Sequence, residues 1–220
     1  MNGKVSQNTL TSQATRERIT MNLSATHAVS VNPTTGEVVS SLPWANEREV
    51  DAAIALAAAG YRQWRQTPLA ARADALRRIG AELRARGEEV AQTITLEMGK
   101  PIAQARGEVA KSANLCDWYA EHGPAMLATE ATLVENNQAV IEYRPLGAIL
   151  AVMPWNFPVW QVLRGAVPIL LAGNSYLLKH APNVMGSARL LGEIFAAAGL
   201  PEGVFGWVNA TNDGVSQIIN

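Results

Sequence analysis

Pro154-Trp155-Asn156-Phe157-Pro158 places one amide side chain at the centre of a proline-bracketed turn, directly after the apolar run Ala148-Ile149-Leu150-Ala151-Val152-Met153. A β-type run that ends in such a turn, with a helical pattern beyond it, is how α/β proteins build a ligand site at the carboxyl end of a strand. A fixed amide N–H in that position can stabilise an oxyanion, and losing one such donor costs about 3 kcal/mol of transition-state stabilisation. The same side chain can instead cap the helix that follows, a common role for Asn. Spacing leaves both readings open. Arg164 recurs with Phe157, Trp160 and Gln161 at helical intervals, so its guanidinium shares a face with residues near Asn156. There it can pair with a carboxylate through two parallel hydrogen bonds, or it can be a surface arginine or part of a structural salt bridge. Lys179 ends a second apolar strand pattern, suited either to a bound ligand at the rim or to ordinary solvent exposure.

Other chemistry is poorly supported. Cys116 falls on the apolar stripe Ile102, Ala105, Val109, Ala113, Cys116 and reads as a core residue rather than a nucleophile. His27, His122 and His180 have no metal-ligand spacing with it, so no metal is expected. Gly199, Gly203 and Gly206 do not have dinucleotide-loop spacing, and no phosphate-loop motif occurs. With 48% hydrophobic residues and a net charge of -1, nothing points to nucleic acid or an anionic membrane. Pro154, Arg164, Pro168 and Asn174 interrupt every apolar run before the roughly 18 residues that span a bilayer. A single cysteine excludes an internal disulfide framework and fits a reducing, cytoplasmic compartment.

These residues need a scaffold to converge. Residues 147–153 should form a strand, and Pro158 should open a helix lasting to about Ala172. Residues 175–179 form a second strand, Asn183 caps a helix that Gly199 and Pro201 end, and residues 204–208 form a third strand. Such alternation implies right-handed crossovers and a parallel sheet, with residues 154–156 and 179–182 on one rim. Upstream, two short strands flank a Pro/Gly turn within residues 31–39, and Asn46 caps a helix through Val50, Ile54, Ala57 and Tyr61. Thr67 and Pro68 suggest an N-cap followed by proline in the first helical position. The helix beyond carries the stripe Leu76, Ile79, Leu83, Val90, Ile94 and Met98, with a break at Gly87 and a stop at Gly99 and Pro101. Leu133, Val134, Val140, Ile141 and Tyr143 suggest a hairpin turning at Asn136-Asn137, which needs a further surface to complete it.

The runs Leu96-Glu97-Met98-Gly99-Lys100-Pro101, residues 154–158, Lys179, and Gly199-Leu200-Pro201-Glu202-Gly203-Val204, in that order, resemble segments of the NAD(P)-dependent aldehyde dehydrogenases. The resemblance runs from about Val31 to Asn220. It implies an aldehyde dehydrogenase-like α/β fold: a helical amino-terminal region leading into a partial Rossmann-type parallel sheet, truncated before the catalytic domain. The expected segments are a disordered tail or mis-called start over 1–24, with Met21 as the natural first residue, then the amino-terminal strands and helices of the cofactor domain over 25–128. An oligomerisation hairpin over 129–145 and the first half of the NAD(P)-binding domain over 146–220 complete them.

Carried over residue by residue, the resemblance makes Asn156 the catalytic amide and assigns Met153, Pro154, Trp155, Asn156, Lys179, His180, Ala181, Pro182 and Asn212 to cofactor contact. Met153, Pro154 and Trp155 would lie near the nicotinamide, and Lys179 at the adenosine ribose. Three residues after that lysine the family often has a Glu for the ribose 2′-hydroxyl, whereas this chain has Pro182. NAD is therefore expected as main cofactor with NADP tolerated, His180 helping to hold a 2′-phosphate. Arg164, eight residues after Asn156, matches the arginine of succinate semialdehyde dehydrogenases and, with Phe157 and Trp160, implies a carboxylate-bearing aldehyde as substrate. The family's nucleophilic cysteine and general-base glutamate lie beyond Asn220. Two functions follow: the amino-terminal portion of an enzyme working as a dimer or tetramer, or a catalytically inactive truncated fragment that at most binds cofactor or oligomerises.

Overall fold

The computed structural model describes residues 23–134 and 137–219. The tail expected over 1–24 lies outside them except for Leu23 and Ser24, whose carbonyls already accept from Thr26 N and Trp44 Nε1. An antiparallel ribbon of β1 (His27–Val31) and β2 (Val38–Pro43) comes first. Asn46 then caps α1 (Glu47–Trp64) through a reciprocal pair with Glu49. The long amphipathic stretch divides at Arg86 into α2 (Leu69–Ala85) and α3 (Gly87–Met98), and Gly99 ends α3 in a left-handed conformation with φ 76°. The 25-residue helix α4 (Ile102–Met126) follows.

A hairpin of β3 (Glu130–Val134) and β4 (Asn137–Ile141) leads to the three-stranded sheet. Its strands β5 (Ala148–Val152), β6 (Ser175–Lys179) and β7 (Phe205–Trp207) are all parallel in the order β5-β6-β7. Helices α5 (Trp160–Leu171) and α6 (Met185–Ala197) make the crossovers, and α7 (Asn212–Ile219) closes the described chain. Every residue of the central strand β6 is buried, as expected for a strand covered on both faces. One core runs from Leu76, Ile79 and Leu83 of α2 through Ile94 and Cys116 to Leu163, Leu178 and Ile194. Phe205 of β7 stacks on Phe195 at 3.9 Å and on Tyr176 at 5.8 Å, welding α6 to the sheet.

Four local expectations change. Helix α2 begins at Leu69 with Pro68 in the capping position, and no side chain caps it, so Thr67 does not. Helix α5 begins at Trp160, two residues after Pro158. Asn183 lies in a 3₁₀ turn (Pro182–Val184) ahead of α6 and does not cap it. Asn137 pairs with Val134 and belongs to β4, while its expected turn partner Asn136 lies outside the described residues. The second and third share one cause: the starts of α5 and α6 draw their hydrogen-bond partners from distant side chains, not from the neighbouring residue. No helix among the described residues is long and apolar enough to cross a membrane.

Helix α1 packs so closely on the loop before β7 that a Cβ at Gly60 would lie 2.2 Å from the carbonyl carbon of Gly203. Backbone cannot yield as a flexible side chain can. Gly60→Ala should therefore destabilise the chain by about 2–3 kcal/mol or more, read as a lowered midpoint in urea denaturation; an unchanged midpoint would contradict this contact.

Candidate functional site

The parallel register pairs Val152 with Lys179, and Met153 N donates to Lys179 O at 3.0 Å. Strands β5 and β6 thus end together, and their following segments share the rim. Beyond Met153 the chain leaves the sheet: Pro154, Trp155, Asn156 and Phe157 are exposed, whereas Pro158 and Val159 are buried. A turn in that position needs partners for its backbone groups.

Three side chains supply them. Lys100 Nζ donates to Asn156 O at 2.9 Å and lies 3.8 Å from the centre of the Phe157 ring. Glu108 Oε1 accepts from Val159 N at 2.9 Å and Trp160 N at 3.0 Å, covering the start of α5, while its Oε2 pairs with Lys100 Nζ. His180 reaches over from β6: Nδ1 accepts from Ala181 N at 3.0 Å, which leaves Nε2–H to donate to Pro158 O at 2.8 Å. The imidazole is 1% exposed and committed on both nitrogens. His180 is consequently a bracket for the turn, and its expected role beside an NADP phosphate is withdrawn.

Glu108 performs the helix-capping task that Asn156 might have had. No side-chain hydrogen bond caps α5 from its N-cap residue Val159. Asn156 keeps its amide exposed on the rim, with no side-chain hydrogen bond among the described residues. Lys179 is 7% exposed and its ammonium forms no hydrogen bond or ion pair among those residues; burial lowers its pKa. A lysine in that condition favours a ligand that returns the lost hydration. Ala181 and the exposed Pro182 continue the rim, and Asn212 is the exposed first residue of α7, whose Gly214 N is capped by Thr211 Oγ1 at 3.1 Å. Pro182 places no carboxylate beside Lys179 from that position. An unpartnered cation and an open amide therefore fit an anionic, hydroxyl-rich cofactor.

Beside the turn runs a groove of about 450 Å³ between α4 and α5, bordered by Gln104, Glu108, Lys111, Phe157, Trp160 and Gln161. Lys111 Nζ sits 3.8 Å from the centre of the Trp160 ring. Arg164, one helical turn beyond Trp160, is exposed rather than buried and takes part in none of the ion pairs among the described residues. Cys116 is fully buried, and burial pushes its thiol pKa up to about 12. That thiol is not a nucleophile. Among the described residues no cluster of metal-ligating side chains occurs.

Lys100 and Glu108 were missed as site residues by sequence reasoning, although Lys100 lies in a quoted motif. Glu108 carried a usable signal: with Ala105 and Ser112 it recurs at three- and four-residue spacing on the buried side of α4, where an unpaired charge is not tolerated.

The sequence profile of the aldehyde dehydrogenase family matches residues 20–220, and the chain belongs to that family. It is 71% identical over 195 residues to the succinate semialdehyde dehydrogenase [NAD(P)+] Sad of Escherichia coli (strain K12), covering 89% of this chain and 42% of that protein. Among solved structures, succinic semialdehyde dehydrogenase from Streptococcus pyogenes in complex with NADP+ superposes with a TM-score of 0.83 at 31% identity, covering 87% of this chain and 42% of the other. An aldehyde dehydrogenase from Physcomitrella patens in complex with the reaction product succinate gives 0.81 at 30% identity, covering 87% and 41%. The chain thus spans about two fifths of the length of these relatives.

Burial is the main influence on His180 and lowers its pKa from 6.5, against the opposing pull of the Pro158 and Met153 carbonyls. The native state then binds fewer protons than the unfolded state below 6.5. Stability from the neutral ring is complete above that value and is lost as pH falls through the lowered folded pKa. The stability advantage of the native chain over His180→Gln should shrink between pH 7.5 and pH 5 in paired urea titrations. A constant advantage would show that the ring is not held neutral.

Proposed function

We propose that this chain forms the oxyanion side and part of the cofactor rim of an enzyme that oxidises a carboxylate-bearing aldehyde, such as succinate semialdehyde, to the acid with NAD(P)+. The observation that carries this reading is the exposed, unpartnered Asn156 amide on a turn whose backbone is held at both ends. As the aldehyde carbon is attacked, negative charge grows on its oxygen, and an amide N–H already aimed there stabilises the transition state more than the ground state. NAD(P)+, when bound, supplies the hydride acceptor. Lys179 would hold its ribose hydroxyls, and Met153, Pro154 and Trp155 would border its nicotinamide end. Ala181, Pro182 and Asn212 are proposed to flank the adenosine side. With Pro182 in place of a carboxylate, both cofactors are accepted and NAD leads.

The nucleophile is a cysteine thiolate outside these 220 residues, because Cys116 is buried with its proton held. Attack would form a thiohemiacetal; loss of its hydride, for which NAD(P)+ supplies the acceptor when bound, and of its hydroxyl proton would leave a thioester that water hydrolyses to the acid, freeing the thiol. By the same reasoning the chain alone does not turn over. The relatives' names and the succinate bound in the moss enzyme support the substrate class. Arg164, exposed one helical turn beyond Trp160 and in no ion pair among the described residues, supports a carboxylate partner. Leu133 is 90% exposed on the hairpin, which supports a dimer or tetramer covering that surface. A cytoplasmic setting accords with the single reduced cysteine.

In the complete polypeptide, Asn156→Ala should lower kcat by about 10²–10³-fold. Arg164→Leu should raise KM for succinate semialdehyde by about 10–100-fold, the loss of one charge-assisted hydrogen-bonding pair, and leave an uncharged aldehyde nearly unaffected. An unchanged KM for the carboxylate substrate would end the Arg164 assignment. Comparing kcat/KM with NAD+ and NADP+ tests the cofactor ranking, which a strong NADP+ preference would reverse.

A further inference from the structure

We infer that Lys100 and Glu108 are positioning residues that aim the Asn156 amide, an inference resting on the proposed role of Asn156 as oxyanion donor. The side chains of Lys100 and Glu108 are 7% and 1% exposed. A buried ion pair returns its desolvation cost only when its remaining hydrogen-bonding capacity is filled. Here every bond that fills it falls on one short segment. Lys100 takes the carbonyl of Asn156 and the face of Phe157, and Glu108 takes the amides of Val159 and Trp160.

The anchors therefore bracket Asn156 by touching its own carbonyl on one side and the first amides of α5 on the other. Asn156 has no side-chain hydrogen bond among the described residues, so what these bonds hold is the backbone from which its amide projects. Packing of α4 does not call for the pair, because Ala105, Val109 and Ala113 already bury that face. A donor that stabilises a developing charge must be held before the charge appears, and small misplacements are expensive. The pair supplies that hold from two elements, α4 and the loop following α3, that are remote in sequence from the turn.

The test is a double-mutant cycle in the complete polypeptide. Lys100→Met and Glu108→Gln should each lower kcat by about 10–100-fold, the penalty of a misdirected donor. KM for the aldehyde and Kd for the cofactor should stay within about threefold. In an Asn156→Ala background the same substitutions should cost less than about threefold, because residues acting as a unit are not additive. Full additivity overturns the inference while leaving Asn156 intact as oxyanion donor, because the pair would then act independently of that amide. If Asn156→Ala itself keeps kcat, the proposed function fails first and the inference with it.

A second measurement needs only the folded 220-residue chain. In Lys100→Gln, which keeps a donor and much of the volume, amide hydrogen exchange at Val159 and Trp160 should accelerate at least about tenfold while Ile79 and Leu83 do not change. Equal acceleration at all four positions, or none at Val159 and Trp160, overturns the proposal.

Discussion

Glu108 is a carboxylate almost entirely removed from water, and such a group is stable only where donors meet its lone pairs. It gathers the ammonium of Lys100 and the first two backbone amides at the start of α5. The rest of the site depends on this arrangement, because it fixes where α5 begins and hence where the chain between β5 and α5 must turn. A helix N-terminus carries unsatisfied N–H groups and a partial positive charge, so a carboxylate answers both at once.

The same solution recurs at the second crossover. Glu97 Oε1 accepts from Gly186 N at 2.7 Å and Ser30 Oγ at 2.9 Å, and Oε2 accepts from Ser187 N at 2.8 Å and Ser187 Oγ at 2.7 Å. Burial raises the pKa of Glu97, and these four donors act against that rise. Carboxylates from α3 and α4 thus cap α6 and α5, so the amino-terminal helices hold the sheet's crossover helices by their ends as well as by the apolar core. With both N-termini already holding protein carboxylates, neither is free to cradle an anion. The groups left open on the rim are Asn156 and Lys179.

Much of the fold was legible in the sequence. The alternation of apolar runs and helical patterns after Gly147 required a parallel sheet, and β5, β6 and β7 are parallel with their carboxyl ends together. The stripe from Leu76 to Ile94 and the stop at Gly99 are local periodicity and local backbone preference, so they survived unchanged. Cap assignments fared worse. Asn156, Asn183 and Thr67 all have the right residue type for a local cap, yet none caps its helix; at α5 and α6 the donors go instead to Glu108 and Glu97.

The sequence by itself determined the order of elements, the rim on which Asn156 and Lys179 meet, the buried state of Cys116 and the family resemblance, because each depends on periodicity, chain order or motif. Only the tertiary structure decided that His180 serves the turn rather than a phosphate, that Arg164 stands open to solvent, and that Lys100 and Glu108 hold Asn156 in place. Those outcomes depend on which buried polar groups find one another across 22 to 56 positions of chain. Neither residue type nor spacing encodes such pairings; the low dielectric of the packed interior selects them, because a group left unpaired there is too costly to keep.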